Sequence, residues 1–408
     1  TIMRSKRLLK GDAVVTAFGL AGTEASDSKR LISLLEKLDL SAHSNGQCGK
    51  IGLGTSNILS MACELLLNRS MESTFLLIEE PEAHVHAQRQ LRLIQSLQTE
   101  AATSGVNQQI IITTHSPLMA SVISLEHISI VKSAKVFSLR YGKTRLSKDD
   151  YVFLERYLDA TKANLFFAKA IMMVEGPSEE FLVPTISKII GKDFTEYGVS
   201  VVNVRGTGLR RFAKILQRAD DSETLDIRVS CMTDRDVMPN CAPAICIDQR
   251  YSDIALWPEK EKRNWKAECD FISQNERDLY LKRILDRANG QQVKTFVANH
   301  WTFEYDLAYA GLADELIEAI VAVRYESKNR EQRIKDIQKK YEEFPDNESK
   351  SAYLYSFFSL KGTSKAEVAQ HLSFILETKY ASDPKALCER LPPYIRDAIN
   401  YVTEQEDA

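Results

Sequence analysis

Short apolar runs that alternate with helical patterns are the feature that most restricts the fold of this 408-residue chain. Two of them, Thr74–Ile78 and Gln109–Thr113, flank an amphipathic pattern over about residues 86–100. The order strand, helix, strand predicts a parallel pair, because parallel strands need a long crossover connection. Four later runs predict a second parallel sheet and thus an α/β fold: Ala170–Val174, Val199–Val204, Ile227–Met232 and Val293–Ala298.

The rest of the sequence is helix-favouring and charged in three places. Residues 154–170 predict a helical connector ahead of the second sheet, and residues 253–288 predict a helical insertion between its last two strands. A long charged helix is predicted over residues 329–343. Solvated helix faces explain such charge, so these segments bear on architecture rather than on chemistry.

The charge balance does not identify a partner, because 53 Lys and Arg stand against 56 Asp and Glu, a net charge of −3. Any contact with nucleic acid must come from local basic patches. Seven cysteines without a CxxC pair argue against a disulfide framework or a zinc site, and they favour a reducing cytoplasm. We expect no membrane partner, because no apolar run approaches the roughly 18 residues that a span needs.

A first group of polar residues stands around the ends of the first two strands. Its members are Gly52, Gly54, Ser56, Glu79, Glu80 and His115. The two glutamates end an apolar strand, where acids can bind Mg²⁺ or polarise water. The Gly-rich turn opens a helix whose free N–H groups can bind phosphate. Alternatively, Glu79 and Glu80 end a core strand that leads into a Glu-rich helix start, and His115 has a structural role.

This arrangement resembles the signature loop, Walker B strand and switch His of ABC-type ATPases of the SMC, Rad50 and OLD group, over about residues 50–120. The resemblance implies that Glu79 assists Mg²⁺, that Glu80 activates the attacking water and that His115 senses the γ-phosphate of ATP. The Gly-rich turn would act in trans across a dimer, so a homo-oligomer through the ATPase domain is expected. Glu79 replaces the usual Asp, which lengthens that side chain by one methylene.

A GxxxxGK[ST] loop, which would hold the β- and γ-phosphates, is absent from the 408 residues. Residues 1–135 therefore resemble only the C-terminal portion of an ABC-type ATPase domain. We expect the N-terminal half to have been removed or to be carried elsewhere, and ATP hydrolysis by these residues alone to be poor or nil.

A second group of acids stands at the strand ends of the second sheet. The run 171–174 ends at Glu175, a Gly follows, and Glu179 falls in the first turn of a helix. The run 229–233 ends in Asp234 and Asp236, whose side chains would point the same way on extended backbone and share a cation. Parallel sheets bind ligands at the carboxyl ends of their strands, so together the motifs predict a metal site. Taken singly, each glutamate could merely complement a helix dipole.

The two motifs resemble the Toprim fold, and residues 157–168 are similar to the connector of OLD (overcoming lysogenization defect) proteins. The nuclease subunit of Gabija shares this layout. The resemblance covers about residues 50–380 and implies two Mg²⁺ or Mn²⁺ ions, held by Glu175, Glu179, Asp234, Asp236 and Glu304. Lys365 would be the cation near the scissile phosphate, although a lone Lys is usually a surface residue. Pro177 stands where many relatives carry an acid.

The implied architecture is a partial ABC-type ATPase lobe followed by a Toprim domain with a parallel, Rossmann-like sheet, a helical insertion and a helical C-terminal region. The expected limits are 1–135 for the ATPase portion, 136–168 for the connector, 169–250 and 291–312 for the two Toprim parts, 251–290 for the insertion and 313–408 for the helical end.

The resemblance implies a metal-dependent DNA endonuclease regulated by its ATPase segment, in phage defence or DNA processing, with a helicase-type or other defence partner. Four cations, Arg205, Arg210, Arg211 and Lys214, could grip the DNA backbone or could form a solvated helix face. Two alternatives remain. One is a topoisomerase-like Toprim enzyme with a tyrosine nucleophile, and the other is a nucleotide-responsive scaffold that binds DNA or a partner without cleavage.

Overall fold

Six strands form where the sequence has apolar runs, and they belong to two separate parallel sheets. The computed structural model describes residues 42–44, 47–49, 52–67, 73–103, 107–206, 208–360 and 362–404. The chain divides into two compact units, residues 1–123 and 124–408. The α/β class is therefore confirmed, and each unit is described by itself.

The strands, in chain order, are β1 Ala42–Ser44, β2 Gln47–Gly49, β3 Ser73–Glu79, β4 Asn107–Thr113, β5 Ser129–Lys132, β6 Lys135–Ser138, β7 Ala170–Val174, β8 Val199–Asn203, β9 Arg228–Thr233, β10 Val237–Met238, β11 Lys266–Ala267 and β12 Val293–Val297. The helices are α1 Leu53–Leu67, α2 Ala87–Thr103, α3 Pro117–Ala120, α4 Lys148–Tyr157, α5 Pro177–Ile189, α6 Phe194–Tyr197, α7 Leu209–Ile215, α8 Ala242–Cys246, α9 Gln274–Asp286, α10 Phe303–Leu307, α11 Ala313–Arg324, α12 Arg330–Glu342, α13 Asn347–Ser356, α14 Lys365–Tyr380, α15 Pro384–Glu389 and α16 Pro393–Thr403.

The first unit contains the parallel pair β3–β4, joined by the crossover helix α2. Leu93 and Leu97 of α2 pack with Ile78 of β3 in a small core, as the apolar stripe of an amphipathic helix does. Glu79 and Thr113 are register partners at the end of the pair. The acids after β3 and the polar residues after β4 therefore lie at the same edge.

The second unit is built on a parallel sheet with the strand order β12-β9-β7-β8. All five residues of β7 are buried, as expected for an inner parallel strand. Helices α5, α11, α14 and α16 supply side chains to the same core. The chain passes from β7 to β8 on one side and then returns to β9 on the other. The switch point of this topology, where such sheets bind ligands, therefore lies between the carboxyl ends of β7 and β9.

The helical connector predicted over residues 154–170 is interrupted by a bend. Helix α4 ends at Tyr157 because Leu158 is extended, and a 3₁₀ turn over Lys162–Phe166 precedes β7. Asp159 accepts hydrogen bonds from the ammonium group and the backbone N–H of Lys162, which fixes the bend. The connector therefore reaches the sheet as a pinned turn.

The insertion is also less helical than predicted. Within residues 253–288 only Gln274–Asp286 forms an α-helix, and short 3₁₀ turns with β11 precede it. The Arg263 guanidinium lies 4.1 Å from the centroid of the Trp265 ring and pairs with Asp270, so a small cation–π cluster orders this part. In contrast, the charged helix predicted over 329–343 is confirmed as α12. In the described residues no helix has the length and apolar character to span a membrane.

The central strand gives a test of the fold. Met172 on β7 is fully buried in the main core, so Met172→Ala should lower the free energy of unfolding by about 2–5 kcal/mol in urea denaturation. Phe374→Ala is the control, because that side chain is 69% exposed and its loss should change stability by less than about 0.5 kcal/mol. Equal effects of the two changes would contradict the described core.

Candidate functional site

The parallel pairing of β7 with β9 brings Glu175 and Asp234 to one edge of the sheet. Met173 is the register partner of Cys231, and each acid follows the end of its strand. The Thr233 hydroxyl donates a 3.0 Å hydrogen bond to Glu175 Oε2, and the backbone N–H of Asp234 donates to the same carboxylate. The two acids are therefore neighbours at the switch point.

The first turn of α5 adds a third acid. Glu179 is 7% exposed, and its carboxylate folds back over Gly176. A Cβ atom at residue 176 would lie 2.8 Å from Glu179 Oε2, so only glycine leaves room for this side-chain position. Pro177 occupies the first helical position, where its missing N–H costs no hydrogen bond. The turn thus aims a carboxylate at the strand ends without an acid at position 177.

Glu304 and Lys365 join this site from the helical part of the unit. The Lys365 ammonium donates a 2.8 Å hydrogen bond to Glu304 Oε2, and the Ser178 hydroxyl donates a 2.7 Å bond to Oε1. The backbone N–H of Phe303 donates to Asp234 Oδ1 at 2.9 Å. Helix α10 is therefore tied to β9 and α5, and residues far apart in sequence meet at one place.

Burial and mutual repulsion dominate the electrostatics of these acids. Burial raises the pKa of Glu175 to about 7, and the Asp236 charge adds to the effect. Burial together with the charge of Glu304 raises the pKa of Glu179 to about 7. Burial and the charges of Glu304 and Glu179 raise the pKa of Asp234 well above its usual range. Several carboxyl groups are therefore crowded at the carboxyl ends of the strands, where burial and repulsion disfavour their simultaneous ionisation.

The prediction that Asp234 and Asp236 lie on extended backbone is wrong. Strand β9 ends at Thr233, and Asp236 has a left-handed φ of 55° on exposed backbone. Its side chain is therefore not placed by the alternation of an extended strand. Asp236 still interacts electrostatically with Glu175 and Asp234, so it lies at the rim of the group.

The donor chemistry suits a hard divalent cation, because Mg²⁺ and Mn²⁺ prefer carboxylate oxygens and a cation would relieve the repulsion between these acids. Over the described ranges, no three His, Cys, Asp or Glu side chains are already gathered closely enough to hold a metal ion. Lys365 instead serves as the counter-ion of Glu304. The residues fit the ions by type and charge, and Glu304 would have to exchange its ammonium partner.

Three supporting residues were not predicted from the sequence. Ser178 holds Glu304, Thr233 holds Glu175, and the buried Asp306 accepts hydrogen bonds from the backbone N–H groups of His300 and Trp301. Two of these contacts, Ser178 with Glu304 and Thr233 with Glu175, join segments that only the fold brings together, so no local sequence pattern predicted them. The hydroxyl residues next to the motif acids were the one available hint.

The four cations predicted to contact DNA have different surroundings. Arg211 donates to the buried Asp150 at 2.9 Å, and its guanidinium lies 4.0 Å from the centroid of the Phe153 ring. It therefore fastens α7 to α4. Arg210 is more exposed and lies 3.7 Å from the same carboxylate. The remaining two residues of the set are Arg205, which is exposed, and Lys214, which is half-buried.

In the first unit, Glu79, Glu80 and His115 meet at the carboxyl ends of β3 and β4. His115 Nε2 lies 3.6 Å from Glu80 Oε1, and Glu80 has a left-handed φ of 42°. Glu82, which the sequence analysis did not single out, accepts hydrogen bonds from the Thr114 hydroxyl at 2.8 Å and the His115 N–H at 2.7 Å. Glu82 therefore orients the turn that presents His115.

The Gly-rich turn lies beside the residues that follow the Glu79–Glu80 pair. The Gly52 carbonyl accepts hydrogen bonds from the N–H groups of Thr55 and Ser56, which starts α1. A Cβ atom on Gly54 would lie 2.1 Å from the His84 carbonyl oxygen, so glycine is required there. Thr55 accepts a 2.9 Å hydrogen bond from Arg89. The turn is thus held against the start of α2.

Comparison with known families identifies both units. Residues 166–236 match the model of the TOPRIM domain of overcoming lysogenization defect protein-like proteins. Residues 18–120 match the AAA ATPase domain. The chain joins an AAA ATPase domain to an OLD-like Toprim domain. The resemblance found from the motifs is confirmed, and domains of these two kinds generally bind a nucleotide and divalent metal ions.

Two curated proteins are similar to this chain. It is 23% identical to Endonuclease GajA of Bacillus cereus (strain HuB5-5), over 87% of this chain and 53% of GajA. It is 26% identical to the uncharacterized protein YbjD of Escherichia coli (strain K12), over 35% of this chain and 25% of YbjD. The chain therefore spans about half the length of GajA and a quarter of YbjD.

A solved structure is similar to part of this chain. It is the C-terminal region of the OLD protein of Xanthomonas campestris pv. campestris, at 21% identity and a TM-score of 0.34. The match covers 59% of this chain and 94% of that one.

The raised pKa values predict how stability depends on pH in EDTA. The pKa of Glu175 and Glu179 is near 7 in the folded protein and 4.5 in the unfolded chain. Their contribution to the free energy of unfolding is therefore greatest below pH 4.5 and is lost as the pH rises through 7. Glu179→Gln should therefore raise the Tm at pH 8 and change it little at pH 4.5, because it removes a buried charge. Glu196→Gln, on an exposed side chain before β8, should leave the Tm unchanged at both pH values. A Glu179→Gln effect that is the same at both pH values would contradict the described charge repulsion.

Proposed function

We propose that this chain is a metal-dependent DNA endonuclease that hydrolyses phosphodiester bonds at its Toprim domain. The observation that carries the proposal is the meeting of carboxylates from β7–α5, β9 and α10 at one sheet edge, with Lys365 beside them. The OLD-like Toprim match and the similarity to a protein named as an endonuclease support it. A nuclease that binds divalent metal ions needs several carboxylates at one place, whereas a purely structural sheet edge would be destabilised by their repulsion.

The acids divide into two sets by their positions. Glu175, Glu179, Asp234 and Asp236 would hold one Mg²⁺ or Mn²⁺ ion, and Glu304 would hold a second together with a shared aspartate. When bound, two such ions activate water and neutralise charge on the transferring phosphoryl group. Asp234 is the best candidate for the shared ligand, because it lies between the strand-end acids and the start of α10.

Lys365 and the residues around it would act on the phosphate. Its ammonium is 2.8 Å from Glu304 and lies over the Tyr355 ring, 5.2 Å from the centroid. When Glu304 engages a metal ion, this ammonium becomes available to stabilise negative charge that develops on the phosphate oxygens. Ser178 would keep Glu304 in place during that exchange, because its hydroxyl binds the other carboxylate oxygen.

The ATPase domain would regulate this activity. Glu79 would assist Mg²⁺, Glu80 would activate water, His115 would sense the γ-phosphate of ATP, and the turn at Gly52, Gly54 and Ser56 would complete the nucleotide site of a second copy in a homo-oligomer. The contact between His115 and Glu80 supports this grouping. The proposed setting is phage defence or DNA processing in the cytoplasm, with DNA and a helicase-type or other defence protein as partners.

Cleavage of supercoiled plasmid tests the nuclease proposal. The native chain with Mg²⁺ or Mn²⁺ should produce nicked or linear DNA, and EDTA should abolish the products. Asp234→Asn, which keeps the Oδ1 acceptor for Phe303, and Glu175→Gln should each lower the rate roughly 100-fold or more, because each removes a charged ligand at the reacting centre.

The control is Glu196→Gln, which removes an exposed acid before the amino end of β8 and should cleave like the native chain. Metal-dependent cleavage that survives both site changes would refute the assigned site. A covalent protein–DNA adduct after denaturation would favour the topoisomerase-like alternative. DNA binding without any cleavage would favour the scaffold.

A further inference from the structure

A cavity of about 340 Å³ opens beside Glu175 on the β8 side of the sheet. Its apolar lining includes Pro177 and Val201, and its polar lining includes Thr161, Asn203, Arg205 and the carboxylate of Glu180. This volume falls within the roughly 300–1,000 Å³ range of small-ligand pockets, and a mixed lining of this kind suits a base together with its sugar and phosphate. The cavity shares Glu175 with the proposed metal site, so a nucleotide in it would lie next to the reacting phosphate.

The connector supplies a fixed wall to this cavity. Lys162 lines it but is almost fully buried, and its ammonium is already paired with Asp159. The Thr161 hydroxyl also donates to Asp159, while the residue itself is exposed. Although burial opposes ionisation, the hydrogen bonds from Lys162 and Thr161 lower the pKa of Asp159 to about 2. The Asp159 carboxylate therefore stays ionised at neutral pH, and its hydrogen bonds keep Thr161 and Lys162 in place.

Arg205 is held at the cavity by strained backbone. It has a φ of 53°, followed by a φ of 79° at Gly206. The Asn203 side chain accepts a 2.9 Å hydrogen bond from the Arg205 N–H and donates a 2.8 Å bond to Glu180. Glycine would adopt this conformation at lower cost, so the arginine side chain is kept at the expense of stability.

The Arg205 guanidinium also differs from its neighbours in charge pairing. Arg210 and Arg211 both lie within 4.0 Å of Asp150. In the described part of the chain, no carboxylate lies at ion-pair distance from Arg205. Its charge is therefore available to an anion that enters the cavity, and arginine binds phosphate in a bidentate manner.

We propose that this cavity is a subsite for one unpaired nucleotide next to the scissile phosphate, with its phosphate on Arg205 and its base against Pro177 and Val201. The inference deepens the proposed nuclease function and rests on it for the position of the scissile bond. A nucleotide inside a cavity must leave the base stack of a duplex, which costs less in single-stranded or mismatched DNA. The subsite therefore selects strands with an unpaired nucleotide at the cut.

Binding measured without metal separates the subsite from cleavage. Fluorescence anisotropy in EDTA would compare the full native chain on a labelled single-stranded DNA oligonucleotide and on its duplex. Arg205→Gly should raise the Kd for the single strand roughly tenfold through loss of a charge-assisted phosphate contact, while the Tm stays level or rises because the strain is relieved. Arg333→Ala, at an exposed arginine on α12 outside the cavity, is the control and should change the Kd less than threefold.

A second variant tests the cavity without a change of charge. Thr161→Trp should fill part of the cavity and raise the single-strand Kd to a similar extent. Asn164→Trp, at an exposed position of the 3₁₀ turn that follows Thr161, should not raise it. Equal losses in Arg205→Gly and Arg333→Ala, or native affinity in Thr161→Trp, would overturn the subsite. If the native chain cleaves and both cavity variants behave like it, the subsite alone fails. If the binding pattern holds but no cleavage occurs, the subsite stands as a nucleotide site and the nuclease proposal fails.

Discussion

The parallel pairing of β7 with β9 is the interaction on which the candidate site depends. It aligns two strand ends that are separated by almost sixty residues, so that Glu175 and the Thr233–Asp234 pair come into hydrogen-bond contact. All five residues of β7 are buried, so the strand is anchored inside the sheet by packing on both faces. The strength of the fold and the position of the acids therefore have one cause.

Electrostatic repulsion is the cost of this arrangement, and the protein offsets part of it internally. Burial disfavours ionised Glu179 and Asp234, and the charge of Glu304 raises the pKa of both. The Lys365 ammonium, the Ser178 hydroxyl and the Phe303 N–H stabilise these carboxylates through hydrogen bonds. Functional sites commonly hold such unfavourable charge because the reaction uses it.

The sequence predicted the strands well because apolar runs bounded by polar residues leave few alternatives. The limits of β7 were predicted correctly from Ala170–Val174, which is buried throughout. Glu304 and Lys365 came from family resemblance alone, since no local pattern links them to Glu175. The bend after Tyr157 and the left-handed Asp236 could not be predicted, because hydrogen bonds and tertiary contacts override local preference there.

The ion pair between Lys365 and Glu304 also affects how DNA would first meet the site. An approaching polyanion is repelled by uncompensated carboxylates and attracted by cations, and both effects decay over about 10 Å at moderate salt. Because the Lys365 ammonium is paired with Glu304, this surface presents less negative potential than its number of acids implies. The same lysine would thus ease the encounter with a phosphate backbone before any chemistry begins.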